Sequence, residues 1–210
     1  MIITIFDTET TGLPKREGTL ADQPYLIQFA AFTYEFDPRS RHFREIERYN
    51  TLIKPPIAIP EESVRITGIT DSAVAGAPAF ADVAGKIQEI FAKSDLSVAH
   101  NISFDEEVIG YELERHGAPK NFISRGRYDT MEGTRNLCKL PGKNGGYKAP
   151  RLMELHQFLL NESFQEAHNA EKDVAALARC VKVLLQEGLY QPPTELPVQA
   201  QPEHEQISLF

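Results

Sequence analysis

The sequence predicts an α/β domain, a sheet covered by helices. Two observations predict it. Three strand-like segments stand in a row within residues 1–53, and from residue 81 onward helical periodicity alternates with short apolar strands. The 210-residue length is enough for one domain with a sizeable core and a tail, and 41% hydrophobic with 25% charged residues is ordinary for a globular chain.

Residues 1–7 form the first expected strand, with Ile2, Ile3, Ile5 and Phe6 as its apolar content. Tyr25–Phe36 is long and aromatic-rich, Asp37-Pro38-Arg39-Ser40 reads as a turn, and His42–Ile53 is its antiparallel return, ended by Lys54-Pro55-Pro56. Val83, Ile87, Ile90 and Phe91 share one helical face, which predicts a helix over 81–92. Leu96–Ala99 is a short buried strand. Ser103-Phe104-Asp105-Glu106 has the form of a capping box, and Phe104, Val108, Ile109 and Leu113 carry that helix to about 116. Arg127–Asp129 is a further short strand and Gly142–Pro150 a glycine-rich loop. Two helices follow, one marked by Leu152, Leu155, Leu159 and Leu160, the other by Val174 through Leu185 and ended at Gly188.

Asp7 and Glu9 are spaced i, i+2, which in a strand puts both carboxylates on one face. Mutual repulsion must then be offset, either by a divalent cation with a preference for hard oxygen ligands, Mg²⁺ or Mn²⁺, or by water at a solvated strand end. Asp105 stands at the start of a helix just beyond a strand. Asp173 stands in the first turn of the last helix, five residues after His168. Brought to one sheet edge, the four acids could hold two cations, an arrangement suited to phosphoryl hydrolysis, and His168 could accept the proton of an attacking water. Taken singly, Asp105 also fits simple complementarity to a helix N-terminus, and His168 a surface or capping role.

The net charge is −8, but residues 115–151 carry nine basic and two acidic side chains, a candidate phosphate-binding surface or a set of solvated loop cations. Cys138 and Cys180 form no disulfide framework or zinc spacing, and the N-terminus has no signal-peptide pattern, so the expectation is a cytoplasmic protein.

Asp7-x-Glu9-Thr10-Thr11-Gly12, His100-Asn101-x-x-Phe104-Asp105 and His168-x-Ala170-x-x-Asp173 together resemble the three motifs of the DnaQ-like 3′→5′ exonucleases, in the branch with four acids and a histidine. Asn169 stands where the sister branch has tyrosine, and Asp129-Thr130 with Arg135 resembles the family's segment between its second and third motifs. The resemblance covers about residues 1–187. It implies an RNase H-like fold with a five-stranded mixed sheet in order 3-2-1-4-5. It implies two Mg²⁺ or Mn²⁺ ions on Asp7, Glu9, Asp105 and Asp173, with His168 deprotonating water. Thr10, Thr11, Gly12 and Leu13 would then hold the terminal nucleotide, and His100, Asn101 and Phe104 would line its base and sugar, Phe104 chiefly by packing the helix.

The expected organisation is an exonuclease domain over 1–190, a disordered proline-rich linker over 191–205 that could extend roughly 50 Å, and a terminal peptide. That peptide, Gln206-Ile207-Ser208-Leu209-Phe210, resembles the bacterial sliding-clamp-binding motif, with Leu209 and Phe210 as apolar anchors. The implied partners are a DNA 3′ end, preferably single-stranded, the clamp, and a DNA polymerase. An RNA-trimming exonuclease keeps the same chemistry with another substrate. A non-catalytic adaptor is the alternative of a different class, and the intact set of acids argues against it.

Overall fold

The computed structural model describes residues 1–123, 125–143, 145–163 and 168–193. The elements in chain order are β1 (Ile2–Thr10), β2 (Leu26–Asp37), β3 (His42–Leu52), α1 (Glu61–Thr67), α2 (Asp71–Val74), α3 (Phe80–Lys93), β4 (Leu96–Ala99), α4 (Ile102–Arg115), β5 (Gly126–Asp129), α5 (Thr130–Gly133), α6 (Arg135–Cys138), α7 (Leu152–Leu160) and α8 (Ala170–Gln186). The sheet order is β3-β2-β1-β4-β5. β1 runs antiparallel to β2 and parallel to β4, and β4 runs parallel to β5. This is the RNase H-like arrangement, as expected.

Strand alternation divides the core into two. Ile3 and Ile5 of β1 join Ala30, Phe32, Val98 and the apolar stripe of α8, Val174, Leu177 and Val181. Phe6, one residue out of step, joins Phe29, Ile87 and Phe91 of α3, and Val108 and Ile109 of α4. Phe6 meets Phe91 edge to face at 4.8 Å. Helices therefore cover both faces, and the carboxyl ends of β1, β4 and β5 share one edge, where open α/β sheets place their ligands.

Several boundaries differ from expectation. β1 continues three residues past the expected 1–7, because Thr8, Glu9 and Thr10 keep pairing with β2, through a register shift between Glu9 and Thr10. Glu9 thus lies inside the strand with Asp7 rather than beyond its expected end. The expected capping box at Ser103 does not form: α4 starts at Ile102 behind Asn101, and the Ser103 hydroxyl accepts from Arg127 Nη2. Helices α1 and α2 occupy a stretch without an assigned element in the sequence, and the loop after α6 contains an antiparallel bridge between Pro141 and Tyr147. No helix among the described residues is long and apolar enough to cross a membrane. Most of the expected linker, and the whole of Gln206–Phe210, lie outside the described residues.

Candidate active site

Period-2 alternation puts Asp7 and Glu9 on the β1 face of Ile3 and Ile5, toward α8, and Thr8 on the opposite face, toward α4. On the α8 side, oxygens of Asp7, Glu9 and Asp173 lie within 4.8 Å of one another. Asp105 enters from the α4 side, where its Oδ1 accepts a 2.7 Å bond from the Thr8 hydroxyl. Opposite Asp7 on β2 stands Ala30, fully buried beneath α8.

The start of α8 is fixed from three directions. Asn169 caps it, its Oδ1 accepting from Lys172 N. Gln28, opposite Glu9 on β2, accepts from Ala170 N and donates to Asn50, which in turn donates to Glu171. His168 N donates to Asp173 Oδ2 at 2.8 Å. His168 has φ 76°, a left-handed conformation that costs a non-glycine residue about 1–2 kcal/mol. Asn101, on the other side of the site, has φ 79°. Two such residues flanking one cavity fit the tendency of backbone strain to collect at functional sites.

The His100-Asn101 turn is held by the last residue of β5, the first of α5 and the loop before α7. Asp129 Oδ1 accepts from Asn101 N at 3.0 Å and from Met131 N at 2.9 Å, so it caps α5 and supports the turn at once. The His100 ring bonds Pro150 O through Nε2 and Thr130 Oγ1 through Nδ1, each at 3.0 Å. A carbonyl can only accept, so Nε2 carries the proton toward Pro150. Burial holds this histidine below its ordinary range. His100 lines the site as expected, but both ring nitrogens are committed to the protein.

Electrostatically the four acids are held in an unfavourable state. Glu9 is 8% exposed and Asp105 2%. Burial first, then the Asp173 and Asp105 charges, push Glu9 up to about 8. Burial raises Asp105 to about 7 against the lowering effect of the Thr8 hydroxyl. Asp7 is driven well above the carboxylate range by burial and by Asp105, Glu9 and Asp173 in turn, and burial also raises Asp173. The buried Oδ1 of Asp173 has no hydrogen-bond donor among the described residues. An acceptor-only oxygen without a donor, beside three more carboxylates, fits a site built for cations.

These acids open onto a cavity of about 590 Å³. Thr10, Thr11, Gly12 and Leu13 form one side of it, His100, Asn101 and Phe104 another, and His168 faces it from the loop before α8; of the residues named in the three motifs all but Ala170, which is buried in the core beneath, reach it. Thr10 Oγ1 donates to Gly12 O at 2.6 Å, and the Thr11 hydroxyl accepts from Tyr25 N. Phe104 both lines the cavity and packs against the α3–α4 core. Gly12 has no left-handed φ, and a Cβ added there would meet nothing within 4 Å. Nothing in the fold requires glycine at this position.

The sequence reading missed the remaining wall, Pro60 with Glu62, Ser63, Ile66 and Thr67 of α1, and also Thr8. Signals for α1 exist: Pro60 at its entry, Glu61 and Glu62 in its first turn, and Gly68 with φ 71° at its end.

Sheet order and the placement of the acids at its edge define the RNase H-like class of fold. More specifically, the chain belongs to the exonuclease family, whose profile, described as Exonuclease (RNase_T), matches residues 4–181. It is 30% identical over 186 residues to the DNA polymerase III PolC-type protein of Streptococcus pyogenes serotype M18, a match that takes in 88% of this chain and 11% of that protein. The chain thus spans about a ninth of the length of such curated relatives. Among solved structures it is similar to the zinc-bound exonuclease I–ssDNA complex of E. coli, with TM-score 0.70 and 23% identity over 90% of this chain and 42% of that one. It is also similar to the nuclease domain of 3′hExo, a DEDDh family member bound to rAMP, with TM-score 0.67 and 15% identity over 89% and 92%. At these identities the likeness establishes the fold.

Proposed function

We propose that the chain is a metal-dependent 3′→5′ exonuclease of the DEDDh type, releasing nucleoside monophosphates from DNA 3′ ends in proofreading or repair. The observation that carries this reading is the convergence of Asp7, Glu9, Asp105 and Asp173 on one cavity, with the Asp173 Oδ1 left without a donor among the described residues. These four acids would hold two divalent cations, Mg²⁺ or Mn²⁺. Such ions, when bound, supply Lewis-acid stabilisation of the phosphoryl oxygens and a more acidic water.

The chain's own residues do the rest. Water attacks the terminal phosphorus, a new P–O bond forms, and the P–O3′ bond to the preceding nucleotide breaks. His168 takes the water's proton, and the leaving O3′ is protonated from solvent. The turn Thr10–Leu13 seats the terminal nucleotide. Leu13, 77% exposed, Ile66 and Phe104 offer apolar surface to its base.

The ssDNA bound to the E. coli relative supports a single-stranded DNA substrate, and the PolC-type relatives support a polymerase context. The rAMP on 3′hExo favours RNA as the second substrate reading. Gln206–Phe210 would tether the domain 1–190 to a sliding clamp through linker 191–205, a proposal resting on the peptide's sequence alone.

The test is digestion of matched DNA and RNA oligonucleotides, labelled at the 5′ end, with Mg²⁺ or Mn²⁺. A ladder shortening from the 3′ end on DNA, absent in chelator and in Asp7→Ala, is the expected result. Cleavage from the 5′ end, or full activity of Asp7→Ala, overturns the reading. Deleting 206–210 should abolish clamp binding and spare digestion of short oligonucleotides; unchanged clamp binding rules the tether out.

A further inference from the structure

We propose that Lys139, Lys143, Tyr147 and Arg151, described residues of the stretch between α6 and α7, form the track for the single strand behind the terminal nucleotide, its phosphates on Lys139, Lys143 and Arg151 and one base against Tyr147. The proposal rests on the exonuclease reading for its direction, since the strand must lead away from the cavity, but not for the binding itself.

The nine basic residues between 115 and 151 do not behave alike. Six face acids: Arg115 faces Glu112, Lys120 Glu114, Arg125 Asp95, Arg127 Glu106, Arg135 Glu132 and Lys148 Glu154. The three with no ion pair among the described residues, Lys139, Lys143 and Arg151, are all exposed and all fall within one short stretch. The structure therefore neutralises most of the basic segment and leaves positive charge in one place.

That place is a built hairpin. Lys148 N donates to Leu140 O and Gly142 N to Gly146 O, around the Pro141–Tyr147 bridge. Arg135 Nη1 donates to Tyr147 O and fixes the hairpin to α6. Lys139 stands at its entry with φ 51°, and Arg151 at its exit as the residue before α7. Tyr147, an aromatic ring 46% exposed, stands between them. The hairpin is joined to the site through Pro150, whose carbonyl accepts from the ring of the cavity-lining His100. Cations spaced along a backbone with an aromatic platform among them fit a single strand, read by phosphate charge and base stacking rather than by sequence.

The test compares the wild type with the triple variant Lys139→Asn, Lys143→Ser, Arg151→Ser, in which asparagine tolerates the left-handed position and serine suits a helix cap. Fluorescence anisotropy of 5′-labelled dT20 is measured in EDTA from 50 to 300 mM salt, alongside Mn²⁺-dependent hydrolysis of thymidine 5′-monophosphate p-nitrophenyl ester. Each phosphate contact to a single strand contributes about 0.7 to the slope of log K against log salt, so the variant should lose about 2 from that slope. It should bind dT20 at least tenfold more weakly at 100 mM salt and hydrolyse the ester at the wild-type rate. Tyr147→Ala should weaken dT20 binding with the slope unchanged. An unaltered slope in the triple variant overturns the proposal, as does parallel loss of ester hydrolysis, which would place these residues in the cavity's own machinery. A wild type that binds dT20 without cleaving either substrate defeats the exonuclease reading, and the track is still decided by the slope.

Discussion

Glu9→Gln should stabilise the metal-free protein at pH 8. Glu9 is raised from 4.5 to about 8 in the folded state. The sign follows from proton counts. Between those values the folded protein binds more protons than the unfolded chain, so stability is highest below about 4.5, falls as pH rises, and reaches its floor above 8. At about 1.36 kcal/mol per unit the full penalty is about 4–5 kcal/mol, of which about 2 kcal/mol falls between pH 6.5 and 8. His100 works in the opposite sense, since burial lowers it, and its effect is exhausted once pH exceeds the ordinary histidine value. The window from 6.5 to 8 is therefore clean of it. For a chain of this size about 2 kcal/mol corresponds to about 5 °C in Tm. Thermal unfolding in EDTA should show the wild type losing at least about that much from pH 6.5 to 8, because Asp105, raised to about 7, titrates in the same window with the same sign, and Glu9→Gln should lack Glu9's share of that loss and melt higher at pH 8. Saturating Mn²⁺ should raise the wild type and close or reverse the gap. If Glu9→Gln melts no higher than the wild type at pH 8 in EDTA, the carboxylates do not oppose folding and the account of the site as a preformed cation cage is wrong.

Asp7→Ala should lower Mn²⁺-dependent release of mononucleotides by at least about a thousandfold, measured by initial rates on 3′-labelled DNA, since it removes a member of the three-acid group. His168→Ala should lower kcat by about 10²–10⁴ while keeping the Mn²⁺-induced rise in Tm; an unchanged kcat removes it as the base. Gly12→Ala should leave stability within about 0.5 kcal/mol by urea unfolding, because its Cβ meets open space, yet raise KM if a nucleotide approaches that backbone. Thr8→Val should cost about 1.5–3 kcal/mol in the same assay, since it strips a 2.7 Å hydroxyl donor from the buried Asp105. A cost below about 0.5 kcal/mol would mean that Asp105 finds another donor or is neutral without one.

What was legible in the sequence is what period and spacing control. The i, i+2 acids had to share a strand face, and the helix-starting positions of Asp105 and Asp173 followed from the apolar runs behind them, so the four acids needed only parallel strands to meet. The sheet order supplied that. Helix α1 was hidden because two turns give too few apolar repeats to stand out: Val64 and Ile66 alone carry no period, and Ile66 is left partly exposed to line the cavity instead of packing. Asp129, Thr130 and Gln28 were invisible as supports for a different reason. Each acts on a neighbour 28, 31 or 142 residues away through a single hydrogen bond, and such pairings leave no periodic trace. Thr8 shows the two cases meeting in one residue. Its alternation with Asp7 and Glu9 was readable, but the consequence was not. By facing α4 it takes Asp105 as its own partner, so three acids gather on the α8 side of β1 and the fourth is held from the other side of the strand by a hydroxyl. A site of this kind has unequal ligand positions, three carboxylates close enough to share one cation and one anchored by the protein. Loss of Asp105 should therefore weaken cation binding less than loss of any of the other three.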